Sequence, residues 1–180
     1  MNWRGCLLPL ALPLSVLAIG SWRLAVSDHL TAPLPASFQS SQDPGPDYTQ
    51  APPGTYPTCQ EDPALADLLL AQGRRLGIAV KAGQPELPGK DATYRAEHGR
   101  LGSITLKQRP MSPVVRCMLI SHEFIHVLQH LQGDLKRVPS LGWSTTHSDP
   151  IPQEAEAYSH QHRVGYVLSL LQATPQTSAN

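Results

Sequence analysis

The pentad His122-Glu123-Phe124-Ile125-His126 lies inside an apolar, helix-compatible run from Val114 to Leu131. Residues four apart stack on one face of an α-helix, so the two imidazoles converge if this run is helical. Such a pair can bind one Zn²⁺ at about 2.0–2.1 Å from each nitrogen. Glu123 then projects beside them, where a carboxylate can take a proton from an activated water. Leu119, Ile120, Phe124, Ile125, Val127 and Leu128 leave little polar surface on this helix, which is expected to be buried over most of its circumference. Two imidazoles and a carboxylate are costly to bury without a partner, and a metal ion removes that cost. The plain alternative is a helix carrying two ordinary histidines.

The rest of the chain must supply a core for that helix. With 180 residues, 41% hydrophobic and 16% charged, one domain with a real core is expected, and not two. Acidic and basic residues are equal in number and no basic block is visible, which argues against nucleic acid or an anionic membrane surface as the main partner.

Residues 1–27 read as a targeting segment. Arg4 supplies a small positive region, and the apolar stretch Leu7 to Ile19 is shorter than the roughly 20 residues a spanning helix needs. Ala25-Val26-Ser27 offers a small-x-small cleavage site before Asp28. The competing reading is an uncleaved anchor, because Gly5 to Trp22 is free of charge. Either way the domain is expected across a membrane, in the periplasm, a lumen or outside the cell, with a possible membrane tether. Cys6 falls in this segment and leaves Cys59 and Cys117, an even pair that an oxidising compartment would allow to bridge. Two unpaired, buried small residues are the other reading of those cysteines.

Residues 28–57 are rich in proline, serine and glutamine and lack aliphatic periodicity, so they read as a linker, with ordered structure starting near Thr58. Asp62-Pro63 is a helix start, Leu65, Leu68, Leu69 and Ala71 are expected to give that helix its buried side, and Gly73 is its expected stop. A short apolar run, Leu76 to Val80, precedes a Gly/Pro-rich loop. Ala92 to Glu97 and Leu101 to Gln108 are two strands joined through His98-Gly99-Arg100, with Ile104 and Leu106 on the buried face. Ser112-Pro113 starts the pentad helix and Gly133 closes it. One further helix is expected from Pro152 to about Gln172, followed by a flexible tail over 173–180.

A catalytic zinc site needs a third protein ligand and an open position. Gln129 and Gln132 stand where the longer HExxHxxGxxH pattern carries Gly and a third His, so that arrangement is absent. The one downstream acidic cluster is Glu154-Ala155-Glu156-Ala157, and helical periodicity does not choose between its two glutamates. HExxH followed after some tens of residues by a helical ExxA resembles the gluzincin zinc metallopeptidases, and their ExxA matches at Glu154. The resemblance covers about Arg100 to Leu171. It includes a strand shortly before the active helix, as in small one-domain members of the ImmA/IrrE type. Tyr158 follows the alanine where several such families have Asp or Asn. The whole chain also resembles exported proteins of marine cyanobacteria, from which no activity carries over.

The resemblance implies an α+β, minimal zincin-like domain over 58–172, with an active-site helix, a small sheet and a C-terminal ligand-bearing helix. His122, His126 and Glu154 would hold one Zn²⁺ per chain, with Glu156 the second choice for the third ligand and Glu123 the general base. The activity so implied is hydrolysis of a peptide or protein substrate. The strand Ser103 to Lys107 is a possible edge for an extended peptide to pair with. Tyr158 and His147 are possible donors to an oxyanion, and His130 reads as a partly exposed helix residue or as a partner that orients a ligand. The alternative function is a zinc-stabilised, catalytically inactive binding module of the cell envelope.

Overall fold

The structure, a computed structural model, describes residues 45–176. The residues read as a targeting segment, those read as a linker up to residue 44, and the end of the chain beyond Gln176 lie outside the described residues. None of the described helices is long and apolar enough to cross a membrane. The architecture is α+β: α1 (Leu65–Arg75), β1 (Ala79–Ala82), β2 (Ala92–Glu97), β3 (Arg100–Leu106), α2 (Pro113–Gln132), α3 (Pro152–His160) and α4 (Val164–Ala173).

The pentad helix, α2, begins where its sequence marks it. The Ser112 hydroxyl accepts from the Val115 N–H at 3.2 Å and Pro113 occupies the first turn, where its missing N–H costs nothing. From Ile120 to Leu128 nearly every side chain is buried, and Phe124, Ile125, Val127 and Leu128 form the centre of the core. Helix α1 packs on this core through Ala66, Leu69 and Leu70. Gly73 is not its stop: a side chain there would meet the Phe124 ring at 2.7 Å, so Gly73 lets the two helices approach. The helix ends instead at Arg75 and is capped through Gly77, whose φ of +91° is the left-handed conformation glycine adopts freely. Gly77 N–H bonds to Arg74 O and Ile78 N–H to Gly73 O, the paired bonds of a Schellman cap.

Three strands form one sheet in the order β1-β3-β2, with β1 parallel and β2 antiparallel to β3. The strand expected to offer a pairing edge, Ser103 to Lys107, falls mostly within β3 and is therefore central. The free edge on the α2 side belongs to β2. A bulge interrupts the β2–β3 register between Arg95 and Glu97. Gly102 lies opposite it, and a Cβ there would collide with the Arg95 carbonyl oxygen.

The single C-terminal helix expected from Pro152 is two. In a continuous helix Gly165 N–H would bond to Gln161 O, and His162 O would accept from Tyr166 N–H. Here Gly165 N–H bonds to Pro57 O at 3.0 Å, His162 O accepts from Cys59 N–H at 2.8 Å, and Tyr166 N–H turns to Arg163 O. An incoming segment has taken the backbone partners at the break. That segment also corrects the linker boundary, because residues 45–57 pack on the domain. Tyr48 is buried, its hydroxyl bonds to Thr174 Oγ1 at 2.9 Å, and its carbonyl accepts from Trp143 Nε1 at 3.0 Å. Gln50 O accepts from the Tyr166 hydroxyl. Thr174, expected in the tail, is buried by the same contact. Cys59 and Cys117 are joined by a disulfide, with both residues fully buried, which ties this segment to α2 one turn before His122.

Candidate metal centre

Helix α2 presents His122 and His126 one turn apart, and α3 brings Glu154 across to them. His122 Nε2 and His126 Nε2 are 3.2 Å apart. Glu154 Oε2 lies 3.4 Å from the first and Glu154 Oε1 3.3 Å from the second. Donors held about 2.0–2.1 Å from one tetrahedral ion are separated by roughly 3.3–3.4 Å. The two imidazole nitrogens have that spacing and each has a Glu154 oxygen at a similar distance, so the three side chains converge closely enough to hold a metal ion.

The polar bookkeeping agrees with a cation at this point. Two imidazole lone pairs cannot face each other at 3.2 Å without a proton or cation between them. Glu154 Oε2 is buried and has no hydrogen-bond donor among the described residues. The adjoining imidazoles of His122 and His126 hold the Glu154 carboxyl well below the usual carboxylate range. Burial works against a charged His126, but Glu154, Glu123 and Gln129 together outweigh it and raise its pKa.

Gln129 fixes which nitrogen of His126 faces the site. Its amide nitrogen donates to Gln153 O at 3.1 Å and to Glu156 Oε2 at 2.8 Å, groups that only accept. Its Oε1 must then face His126 Nδ1, at 2.7 Å, and neutral His126 carries its proton there. The Nε2 lone pair is left for a metal. Sequence reasoning used Gln129 only to exclude a longer motif. Its position three residues after His126, on the same helix face, is the signal that could have found it.

The two glutamates of α3 separate cleanly. Glu156 is 1% exposed and accepts four hydrogen bonds of 2.8 Å: from Gln129 Nε2 and Leu141 N–H on Oε2, and from Gly142 and Trp143 N–H on Oε1. It anchors the loop after α2 and is not directed at the imidazoles. Residues two apart on a helix point to different sides.

Glu123 is buried beside the three donors and is not one of them. Its Oε2 accepts the Tyr94 N–H at 2.6 Å. Burial pushes the Glu123 carboxyl up, while the imidazoles of His122 and His126 and the Tyr94 N–H pull the other way and only partly offset it. Because Tyr94 N–H points to Glu123 rather than to β3, the antiparallel alternation turns Ala92 and Tyr94 toward the free edge of β2. Tyr94 is fixed at its other end too: its hydroxyl meets His130 Nδ1 at 2.8 Å and accepts from Gly102 N–H at 3.3 Å. Burial pushes the Tyr94 hydroxyl up to about 12. His130, expected to be partly exposed, is buried, and it steadies Tyr94 rather than a metal ligand.

A cleft of about 90 Å³ opens on the site, walled by residues that include Leu87, Ala92, Tyr94, Leu119 and Tyr158. Tyr158, one turn after Glu154, packs its ring 4.5 Å from that of His122 and stacks on exposed His147 at 4.6 Å. Lys90 Nζ donates to the Tyr158 hydroxyl at 3.0 Å and lies 3.9 Å from Glu154 Oε2. The bond to Tyr158 raises the Lys90 pKa. Since an ammonium can only donate, the Tyr158 hydroxyl accepts from it and keeps its own proton to offer elsewhere. Compared with protein-family models, with curated proteins and with solved structures, the chain matches none.

Proposed function

We propose that the protein is an exported or membrane-tethered zinc-dependent metallopeptidase with a minimal zincin-like fold, hydrolysing peptide bonds. The observation that carries this reading is the separation of roles: two imidazoles and one carboxylate converging for one ion, and a second carboxylate, Glu123, beside them and free of them. A purely structural zinc site is usually closed by four protein ligands and has no need of a base. The donor set, two imidazoles and a carboxylate, suits zinc.

His122, His126 and Glu154 would hold the ion. Zinc, when bound, supplies Lewis acidity, making water acidic near neutral pH and polarising a carbonyl. Glu123, with Oε2 pinned by Tyr94 N–H, keeps Oε1 for proton transfer: it accepts the proton of the attacking water and returns it to the departing amine. Its raised pKa suits both halves of that exchange. An extended substrate pairs with the edge of β2 through the main-chain groups of Ala92 and the Tyr94 carbonyl, the Tyr94 N–H being engaged by Glu123. Tyr158, its oxygen engaged by Lys90, presents its hydroxyl proton toward the charge that develops on the substrate carbonyl oxygen.

The test is hydrolysis of a diverse peptide library by full-length wild-type protein and by Glu123→Gln, with chelator and zinc add-back. Glu123→Gln should keep the metal and the fold and lose about 10²–10⁴-fold in rate, the range for a removed acid–base group. Absence of any zinc-dependent cleavage by the wild type, with a partner bound equally by both proteins, would leave a binding module.

A further inference from the structure

A second and larger cavity, about 410 Å³, lies between the C-terminal ends of β1 and β3 and the first half of α2. Its apolar lining includes Val80, Leu106, Met111, Leu119 and Ile120, and its polar lining includes four cations, Lys81, Lys107, Arg109 and Arg116. Leu119 walls this cavity and the metal cleft alike. Asp91 lines the metal cleft, and its carboxylate is held by Arg109 and by Lys107 at 3.8 Å, both of the second cavity. The two cavities therefore adjoin across Leu119 and the Asp91–Arg109 pair, at the Ala92 end of the β2 edge.

The charges are unevenly engaged. Arg109 directs Nε and Nη2 at Asp91, and Arg116 is paired with Asp67 at 2.9 Å. Lys81 is exposed and has no ion-pair partner among the described residues. Four cations against two carboxylates leave this cavity positive in a chain whose formal net charge is zero. A single free ammonium above an apolar floor fits one carboxylate on an aliphatic stem. A polyanion would demand more cations than are free.

We propose that this cavity is a specificity subsite of the metal cleft, which takes an acidic side chain of the peptide substrate, with Lys81 as its charge partner. The assignment rests on the peptidase reading for the word substrate, but its binding test does not require turnover.

The experiment measures binding of short fluorescein-labelled peptides to the full-length, zinc-loaded Glu123→Gln protein. Beyond the constant charge of the label, each peptide carries only one Glu, Gln or Lys, moved along the chain. At one position, and not its neighbours, Glu should bind about two- to fivefold tighter than Gln, the range of one exposed ion pair. The preference should shrink as salt is raised. Adding Lys81→Glu should reverse it, so that the Lys peptide binds best at that same position; a reversal cannot come from misfolding. Equal binding of Glu and Gln peptides, a Glu preference that is the same at every position, or a preference untouched by Lys81→Glu overturns the subsite. Wild-type cleavage with no acidic preference rejects the subsite and keeps the peptidase. The charge preference and its reversal without cleavage by wild type reject the peptidase and keep the carboxylate pocket.

Discussion

Glu156→Gln tests the claim that the two glutamates of α3 have different employment. Four donors converge on the Glu156 carboxylate, two on each oxygen. Glutamine keeps the shape but sets an NH₂ group against two of them, so two hydrogen bonds vanish and buried N–H groups are left facing a donor. Each charge-assisted bond contributes about 1.5–3 kcal/mol and each orphaned buried donor costs about 1–3 kcal/mol. Removing the buried charge returns part of that through lower desolvation. A net loss of about 2–4 kcal/mol is expected, a large part of the roughly 5–15 kcal/mol that holds a domain together. With a urea m-value of about 2 kcal/mol/M, the unfolding midpoint should fall by about 1–2 M. Glu154→Gln is the comparison: its Oε2 has no hydrogen-bond donor among the described residues, so it loses its attraction to the two imidazoles rather than four buried bonds, and its substitution should shift the midpoint by less than Glu156→Gln does. Urea titrations of the oxidised proteins followed by circular dichroism, with chelator present so that metal binding does not contribute, read both values. Equal midpoints for the two variants would refute the assignment of Glu156 to the loop at residues 141–143.

Removing the disulfide by changing Cys59 and Cys117 to Ser frees a span of 58 residues in the unfolded chain, which chain entropy converts to about 4 kcal/mol. Calorimetry should show Tm lower by about 10–20 °C, and an unchanged Tm would mean that the bridge does not restrain the chain. Gln129→Leu removes the acceptor that fixes His126, so zinc affinity by competition with a chromogenic chelator should fall about 10–100-fold. Undiminished affinity would assign Gln129 to the loop alone.

What the sequence disclosed follows from how local its signals are. Ser112-Pro113, the apolar run through Leu128 and the alternation around Ile104 are read within a few residues, and α2, β2 and β3 lie close to where those signals place them. Gly73 misled because a helical glycine signals either a stop or a close approach, and only the position of Phe124 decides between them. The break after His160 carries no proline, and its cause is the backbone of Pro57 and Cys59, far away in sequence. The same segment looked like a linker because proline-rich chain shows no periodicity even where Tyr48 and Gln50 fasten it to the core. Strand order was equally hidden, since β3 becomes central only through its parallel pairing with β1. At the site, the spacing of His122 and His126 was enough to bring them together. Periodicity could not choose between Glu154 and Glu156, whose difference lies in the three backbone N–H groups waiting for the latter.

Elemental analysis of the purified full-length protein tests the central claim most directly. One zinc per chain is expected in wild type and in Glu123→Gln, and less than about a tenth of that after His122→Ala or His126→Ala, because loss of one of three protein ligands abolishes tight binding. Glu154→Gln should also lose zinc, while Glu156→Gln should retain more of it than Glu154→Gln does. Stoichiometric zinc in a protein lacking both His122 and His126 would contradict the account.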